Sequence, residues 1–352
     1  MADWLSSMQR SFEFYEVDPN TWKDRTRLTN VTSCTINWDS EAQTLGSATI
    51  DVVDTLGECY VRIYMITIQN GLTEKHPLGT FLVQTPSSEF DGKIRTVSMD
   101  AYTPLLELKE NQPPLGYSIL KGSNIMTSAY QIAREYTRAP VIKTHSDEEL
   151  KSDFVSNTDD TWMSFLIDLI ANAKFTFYLD ELGRVLFSPL QNISSLQPVW
   201  TYNDDNSSIL LPSVTLKHDI YGIPNKVEVI YSSGYDYYRG IAINDDPNSP
   251  ISTINRGRTI PYRVINPQFS GEATESQIQE YAEQLLESLS SVEYTVSYSH
   301  GYCPVRVGDC VRLNYTSAGI KDVKAKVISQ SIKCDTECTV TETAVYTMKL
   351  WG

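Results

Sequence analysis

The chain has 352 residues, 41% hydrophobic and 21% charged, with a formal net charge of −15. That length allows two or three domains that each bury a core, and the composition excludes general disorder and fibrous repeats. The acid excess excludes binding to nucleic acid or anionic lipid by phosphate neutralisation alone. No run approaches the ~18 apolar residues of a spanning helix, and MADWLSSMQRSFEF lacks an apolar stretch behind a basic start. No membrane span and no secretory signal are expected, so the chain is expected to fold in a cytoplasm.

The first hundred residues alternate Val, Ile, Thr and Tyr in short runs, the pattern of half-buried strands. Strands are predicted at Ser11 to Val17, Thr29 to Asn37, Gly46 to Val52, Tyr60 to Gln69, Gly79 to Ser87 and Ile94 to Tyr102. Turn residues separate them: Asp18 and Pro19, Asn70 and Gly71, and Asp91 and Gly92, the last a hairpin signal because type I′ turns need positive φ at both central positions. Such spacing implies a barrel or sandwich.

After Asp100 the period changes. AYTPLLEL reads as a short helical exit and NQPPLGYS as a break. A helical stripe follows at Ile125, Met126, Ala129, Ile132, Ala133 and Tyr136, with Ser123 as the expected N-cap. A second stripe runs through Trp162, Phe165, Leu166, Leu169, Ile170 and Ala173, with Asp159 or Asp160 as the expected cap. It leads into KFTFYLDELGRVLFSP, a hairpin turning at Asp180 to Gly183.

The C-terminal part returns to β character. IPNKVEVIYSS alternates at Val227, Val229 and Tyr231, and NDDPNSPIS is a loop. ATESQIQEYAEQLLESL is a third helix, with Thr274 and Gln277 forming a capping box and a stripe at Ile278, Tyr281, Ala282, Leu285 and Leu289. This stripe is expected to pack on the strands that follow, drawn from VEYTVSYSH, VGDCVRLNY, KAKVISQSIKCD and ECTVTETAVYTMKLW. The fold class is therefore mainly β (α+β): an N-terminal β-barrel domain at 1–110, an inserted α/β domain at 111–212, and a second β-barrel domain at 213–352 with a packed helix at 274–291.

The six cysteines lie at 34, 59, 303, 310, 334 and 338. Cys303, Cys310, Cys334 and Cys338 are the one set that spacing allows as a four-thiolate zinc site, and the gap between Cys303 and Cys310 fits it poorly. Half-buried thiols on hairpins are the simpler expectation. The four histidines, His76, His145, His218 and His300, form no zinc-hydrolase motif. No nucleophile elbow, phosphate-binding loop or dinucleotide fingerprint is present. Acidic residues at Glu148, Glu149, Asp159, Asp160, Asp204 and Asp205 are candidates for a paired-carboxylate glycosidase, though capping and solvation explain them more simply. No catalytic, cofactor or metal residue is assigned. YSSGYDYYRG, with Tyr231, Tyr235, Tyr237 and Tyr238, is a candidate interface, because Tyr supplies contact area at low entropy cost, with stacking on sugar rings as its alternative.

Four segments in this order resemble the hub proteins of phage tails and phage-like contractile systems: WMSFLIDLIANAKFTFYLDELGRVLFSP, IPNKVEVIY, the helix from Thr274 to Ser291, and HGYCPVRVGDCVRLNY with its Gly308-Asp309 turn. The resemblance implies a non-enzymatic structural protein of the virion tail, assembled in the host cytoplasm. It implies two tube-like barrels per subunit in a homotrimer, making a pseudo-sixfold ring. The implied partners are the tail tube protein and a central spike or tail-tip protein, with tape measure and baseplate wedge proteins nearby. DNA passes through the bore of such a ring without specific binding. A receptor- or carbohydrate-binding tail module and a tail-associated cell-wall hydrolase are the alternative readings.

Overall fold

The computed structural model describes residues 2–53, 56–90, 92–93, 95–205, 208–233, 236–269 and 273–351. It is mainly β. The first half contains β1 (Gln9–Val17), β2 (Asp24–Leu28), β3 (Val31–Asp39), β4 (Gly46–Val53), β5 (Tyr60–Gln69), β6 (Leu72–Phe90) and β7 (Arg95–Tyr102). There follow α1 (Leu106–Glu110), β8 (Ser118–Ile119), α2 (Ile125–Tyr136), β9 (Phe154–Val155), α3 (Trp162–Ala171), β10 (Phe175–Leu179), β11 (Val185–Pro189), β12 (Trp200–Asn203) and β13 (Leu210–His218). The remainder is β14 (Lys226–Ser233), β15 (Asp236–Ile243), α4 (Thr253–Arg256), β16 (Pro261–Ile265), α5 (Glu275–Leu289), β17 (Ser291–Gly301), β18 (Cys310–Tyr315), β19 (Ile320–Lys333) and β20 (Thr339–Lys349). The chain divides into two compact units, residues 1–214 with 298–344, and residues 215–297 with 345–352.

In the first unit the antiparallel order β19-β3-β4-β7-β6-β5-β1-β2 carries the predicted N-terminal strands, and β18 pairs with β19 on one side and runs parallel to β12 on the other. Among the described residues this path stays open and does not close into a barrel. Asn70 and Gly71 both have positive φ, 52° and 76°, as a type I′ turn requires. Asp91 of the other predicted hairpin turn lies outside the described residues. Two departures from the expected N-terminal strands exceed a few residues. The stretch read as one strand from Thr29 is preceded by β2, whose charged DRTRL hides its pairing with β1. β6 begins at Leu72, because a register shift between Ile63 and Tyr64 accommodates Pro77, a residue that argues against a strand in sequence.

The segment read as an inserted α/β domain shares a core with the N-terminal strands: Val17, Trp22, Tyr60 and Leu82 belong to one buried cluster with Leu108, Met126, Trp162 and Phe165. A polar joint fixes the same meeting. Arg62, buried on β5, donates to Asp24, to the Thr80 hydroxyl, and to the carbonyls of Trp22 and Leu182, and the Trp22 indole N–H also donates to Leu182 at 2.7 Å. Leu182 lies in the Asp180 to Gly183 turn that the sequence predicts. The helix caps shift by one or two residues: Asn124, not Ser123, accepts from the Thr127 N–H, and Thr161 caps α3 in a capping box with Ser164. Asp160 instead accepts from the Ser164 hydroxyl.

The second unit is a two-layer sandwich of α5 on the sheet β15-β14-β16. Thr274 and Gln277 form the predicted capping box. The apolar stripe, however, does not pack on the following strands: Ile278, Ala282 and Leu286 bury against Val227, Val229 and Ala242 of β14 and β15. Gly240 on β15 permits the close approach, since a Cβ there would stand 2.4 Å from the Ile278 carbonyl oxygen.

Candidate assembly surface and buried polar network

In the ladder of β14 and β15, Val227 faces Ala242, Val229 faces Gly240 and Tyr231 faces Tyr238, and these residues share the face covered by α5. Tyr231 and Tyr238 are thus half-buried, and Tyr231 meets the Phe269 ring edge-on. Tyr237 points the other way and is 63% exposed; Tyr235 lies outside the described residues. The opposite face of the sheet therefore carries Tyr237, Arg239, Ile241 and Ile243 of β15, Lys226, Glu228 and Ile230 of β14, and Arg263 and Ile265 of β16.

Glu228 is the centre of that face. Its Oε1 accepts from Arg239 and its Oε2 from Arg263, through Nε at 3.1 Å and a terminal nitrogen at 2.9 Å. Hydrogen bonds from Arg263, then Arg239, hold its carboxyl below the usual range. The two guanidiniums cover the carboxylate while remaining about half exposed themselves. Around this clamp stand exposed Ile243, Ile265 and Tyr237, so the face joins fixed positive charge to uncovered apolar area. On the other side of the same unit, α5 presents Glu275, Glu280 and Glu283 to solvent and no basic residue of its own.

The first unit holds a polar network that the sequence reading missed. His300 is completely buried together with Glu342. The Tyr298 hydroxyl donates to Glu342 Oε2 at 2.8 Å, the Gln330 amide donates to Oε1 at 2.7 Å, and the Tyr202 hydroxyl donates to Oε2 at 3.2 Å. Tyr202 then has no proton left for its other neighbours, so His300 Nε2 at 3.1 Å and the Cys303 thiol at 3.1 Å donate to it. His300 Nδ1 lies 2.7 Å from the Gly301 carbonyl oxygen, which only accepts. Both ring nitrogens carry protons, and the pair is imidazolium and carboxylate. Burial alone favours the neutral imidazole; Cys303 and Glu342 overcome it and raise His300 to about 10. Burial raises Glu342, yet bonds from His300, Tyr298 and Gln330 outweigh that and lower it. Burial, then the neighbouring Glu342 charge, pushes the phenols of Tyr202 and Tyr298 well up, so they stay neutral donors. With every member fully covered, the network supports the sheet and has no surface from which to meet a substrate. The sequence signal for it was the alternation that places Tyr298 and His300 on one face of β17.

The other candidates stay apart. Asp204 accepts from the N–H and hydroxyl of Ser317, and the Asn124–Glu149 bridge places Glu149 in backbone pairing. Cys303 contacts Tyr202 whereas the Cys334 N–H donates to the Cys34 carbonyl, and among the described residues no three His, Cys, Asp or Glu side chains are grouped to hold a metal. No helix among them is long and apolar enough to cross a membrane.

No protein-family model matches the sequence, and no curated protein matches it. The fold does match solved structures. The tail protein from Neisseria meningitidis MC58 superposes with a TM-score of 0.59 at 14% identity, over 96% of this chain and 96% of that one. The chain has the fold of phage tail proteins. A second example of the tail-protein fold, the 43 kDa tail protein of prophage MuSo2 from Shewanella oneidensis, gives a TM-score of 0.59 at 12% identity, over 95% and 98% of the two chains. The E. coli c3393 protein, a type VI secretion system component described as similar to bacteriophage T4 tail proteins, matches at 0.50 and 10% identity, over 92% of this chain and 76% of that one.

Proposed function

We propose that this chain is the structural hub of a phage or phage-like tail: a homotrimeric ring at the distal end of the tube, joining the sixfold tube to a threefold spike or tail tip. The observation that carries the reading is the tail-protein fold running along nearly the whole of this chain and of two tail proteins. Three parts divide the labour: a tube-like β module at 1–110, an α/β module at 111–212 and a second tube-like β module at 213–352, so three subunits supply six modules. The chain acts by shape, without catalysis, in the virion tail, and its partners are the tube protein above and the spike or tip protein below, with tape measure and wedge proteins adjacent.

The second unit supports this reading. A cyclic ring needs two different, complementary patches on each subunit, and a sheet face bearing Arg239, Arg263, Tyr237 and Ile265 stands opposite a helix face bearing Glu275, Glu280 and Glu283. The acidic face of one copy seats on the basic face of the next. Sedimentation analysis of the purified protein, alone and with tube or spike protein, tests the proposal: a trimer is expected, and a species that stays monomeric with both partners would overturn it. Glycan binding lost on Tyr237→Ala would instead favour a receptor module.

A further inference from the structure

We infer that Cys34 and Cys334 are a site of reversible disulfide formation that staples the start of β3 to the end of β19. The two strands pair antiparallel with Ser331 opposite Asn37, Ile332 opposite Ile36 and Lys333 opposite Thr35. The next rung sets Cys334 directly across from Cys34, and the Cys334 N–H donates to the Cys34 carbonyl at 2.9 Å. Opposed residues of such a rung share a face with Cα atoms about 5.5 Å apart, inside the roughly 4.4–6.8 Å that a disulfide spans. Cys34 is buried and Cys334 half-buried, so the pair is shielded from inside and reached from the Cys334 side.

Cys59 is half-buried just before β5, and the other three thiols are engaged elsewhere. Cys338 is fully buried with its sulfur 3.8 Å from the Met65 sulfur, Cys303 contacts Tyr202, and Cys310 faces the Val311 carbonyl. With a small-molecule disulfide such as oxidised glutathione as oxidant, the Cys334 thiolate attacks one of its sulfurs and expels one glutathione thiolate. The Cys34 thiolate then attacks the Cys334 sulfur and expels glutathione from it. Two protein thiols lose two protons and two electrons, and the oxidant leaves as two thiols. The neighbouring Cys34 thiol and burial hold the Cys334 thiol well above its ordinary range, so the rate rises with pH throughout the accessible range.

The experiment incubates the intact protein with oxidised glutathione at neutral and mildly alkaline pH, alkylates free thiols in denaturant, and maps peptides by mass. The expected result is one linked pair joining the peptides that contain residues 34 and 334, formed faster at the higher pH. The linked protein should melt roughly 5–10 °C higher, because the closed loop of 334 − 34 = 300 residues restricts the unfolded chain. Cys34→Ser should leave Cys334 trapped as its glutathione adduct. Recovery of both cysteines fully alkylated from folded wild-type protein, or a Cys334–Cys338 link in place of this one, would overturn the inference without bearing on the hub reading.

Discussion

His300 and Glu342 make a charged pair inside a sheet that the rest of the sequence builds from apolar alternation. Such a pair contributes fold specificity more than net stability, but breaking it strands a buried charge at a cost of about 3–5 kcal/mol. His300→Ala and Glu342→Ala should each lower the unfolding free energy by about that amount in denaturant titrations. The signs for pH are opposite. His300 is raised from 6.5 to about 10, so its contribution is complete below pH 6.5 and fades as pH climbs to about 10. Glu342 is lowered from 4.5, so its contribution is present above pH 4.5 and fades as acid protonates it. The melting temperature should therefore be highest between about pH 4.5 and 6.5 and decline toward 10. In Glu342→Gln that alkaline decline should weaken, and a decline of unchanged steepness would refute the assignment.

The elements succeed or fail on local consistency. α3 is buried at Trp162, Phe165, Leu166 and Leu169, so Leu166→Asp should abolish soluble expression, an unpaired buried carboxylate costing several kcal/mol against a stability of ~5–15. Thr161→Ala removes the cap and should cost about 1 kcal/mol by thermal melt. Gly240→Ala drives a methyl into the backbone of α5 at Ile278, and the helix must shift or lift. Loss of about 1–3 kcal/mol is expected, with hydrogen exchange in α5 accelerated ahead of that in β5. Strands with clean alternation, β4, β5 and β14, were legible with bounds close to the observed ones. β2 and the first part of β6 were not, because charged residues and Pro77 break the alternation while tertiary pairing supplies what propensity does not.

At the scale of the whole molecule, opposite charge on opposite faces of the second unit sets the assembly prediction. Glu280→Lys with Glu283→Lys should turn the proposed trimer into monomer in sedimentation analysis while leaving the melting temperature within about 2 °C, since both side chains are solvent-exposed. Unchanged trimer would separate that face from ring formation.

The sequence by itself determined the β class, the helix stripes, the Thr274 capping box and the turn at Asn70 and Gly71, because each depends on residues within a few positions of one another. Only the tertiary structure decided that α5 packs on β14 and β15, that Arg62 binds the distant Leu182 turn, that Glu228 sits between two arginines, and that Tyr202, Tyr298, His300 and Glu342 converge. Those contacts join residues tens to hundreds of positions apart, and a charge or ring in isolation carries no record of which partner folding will bring to it.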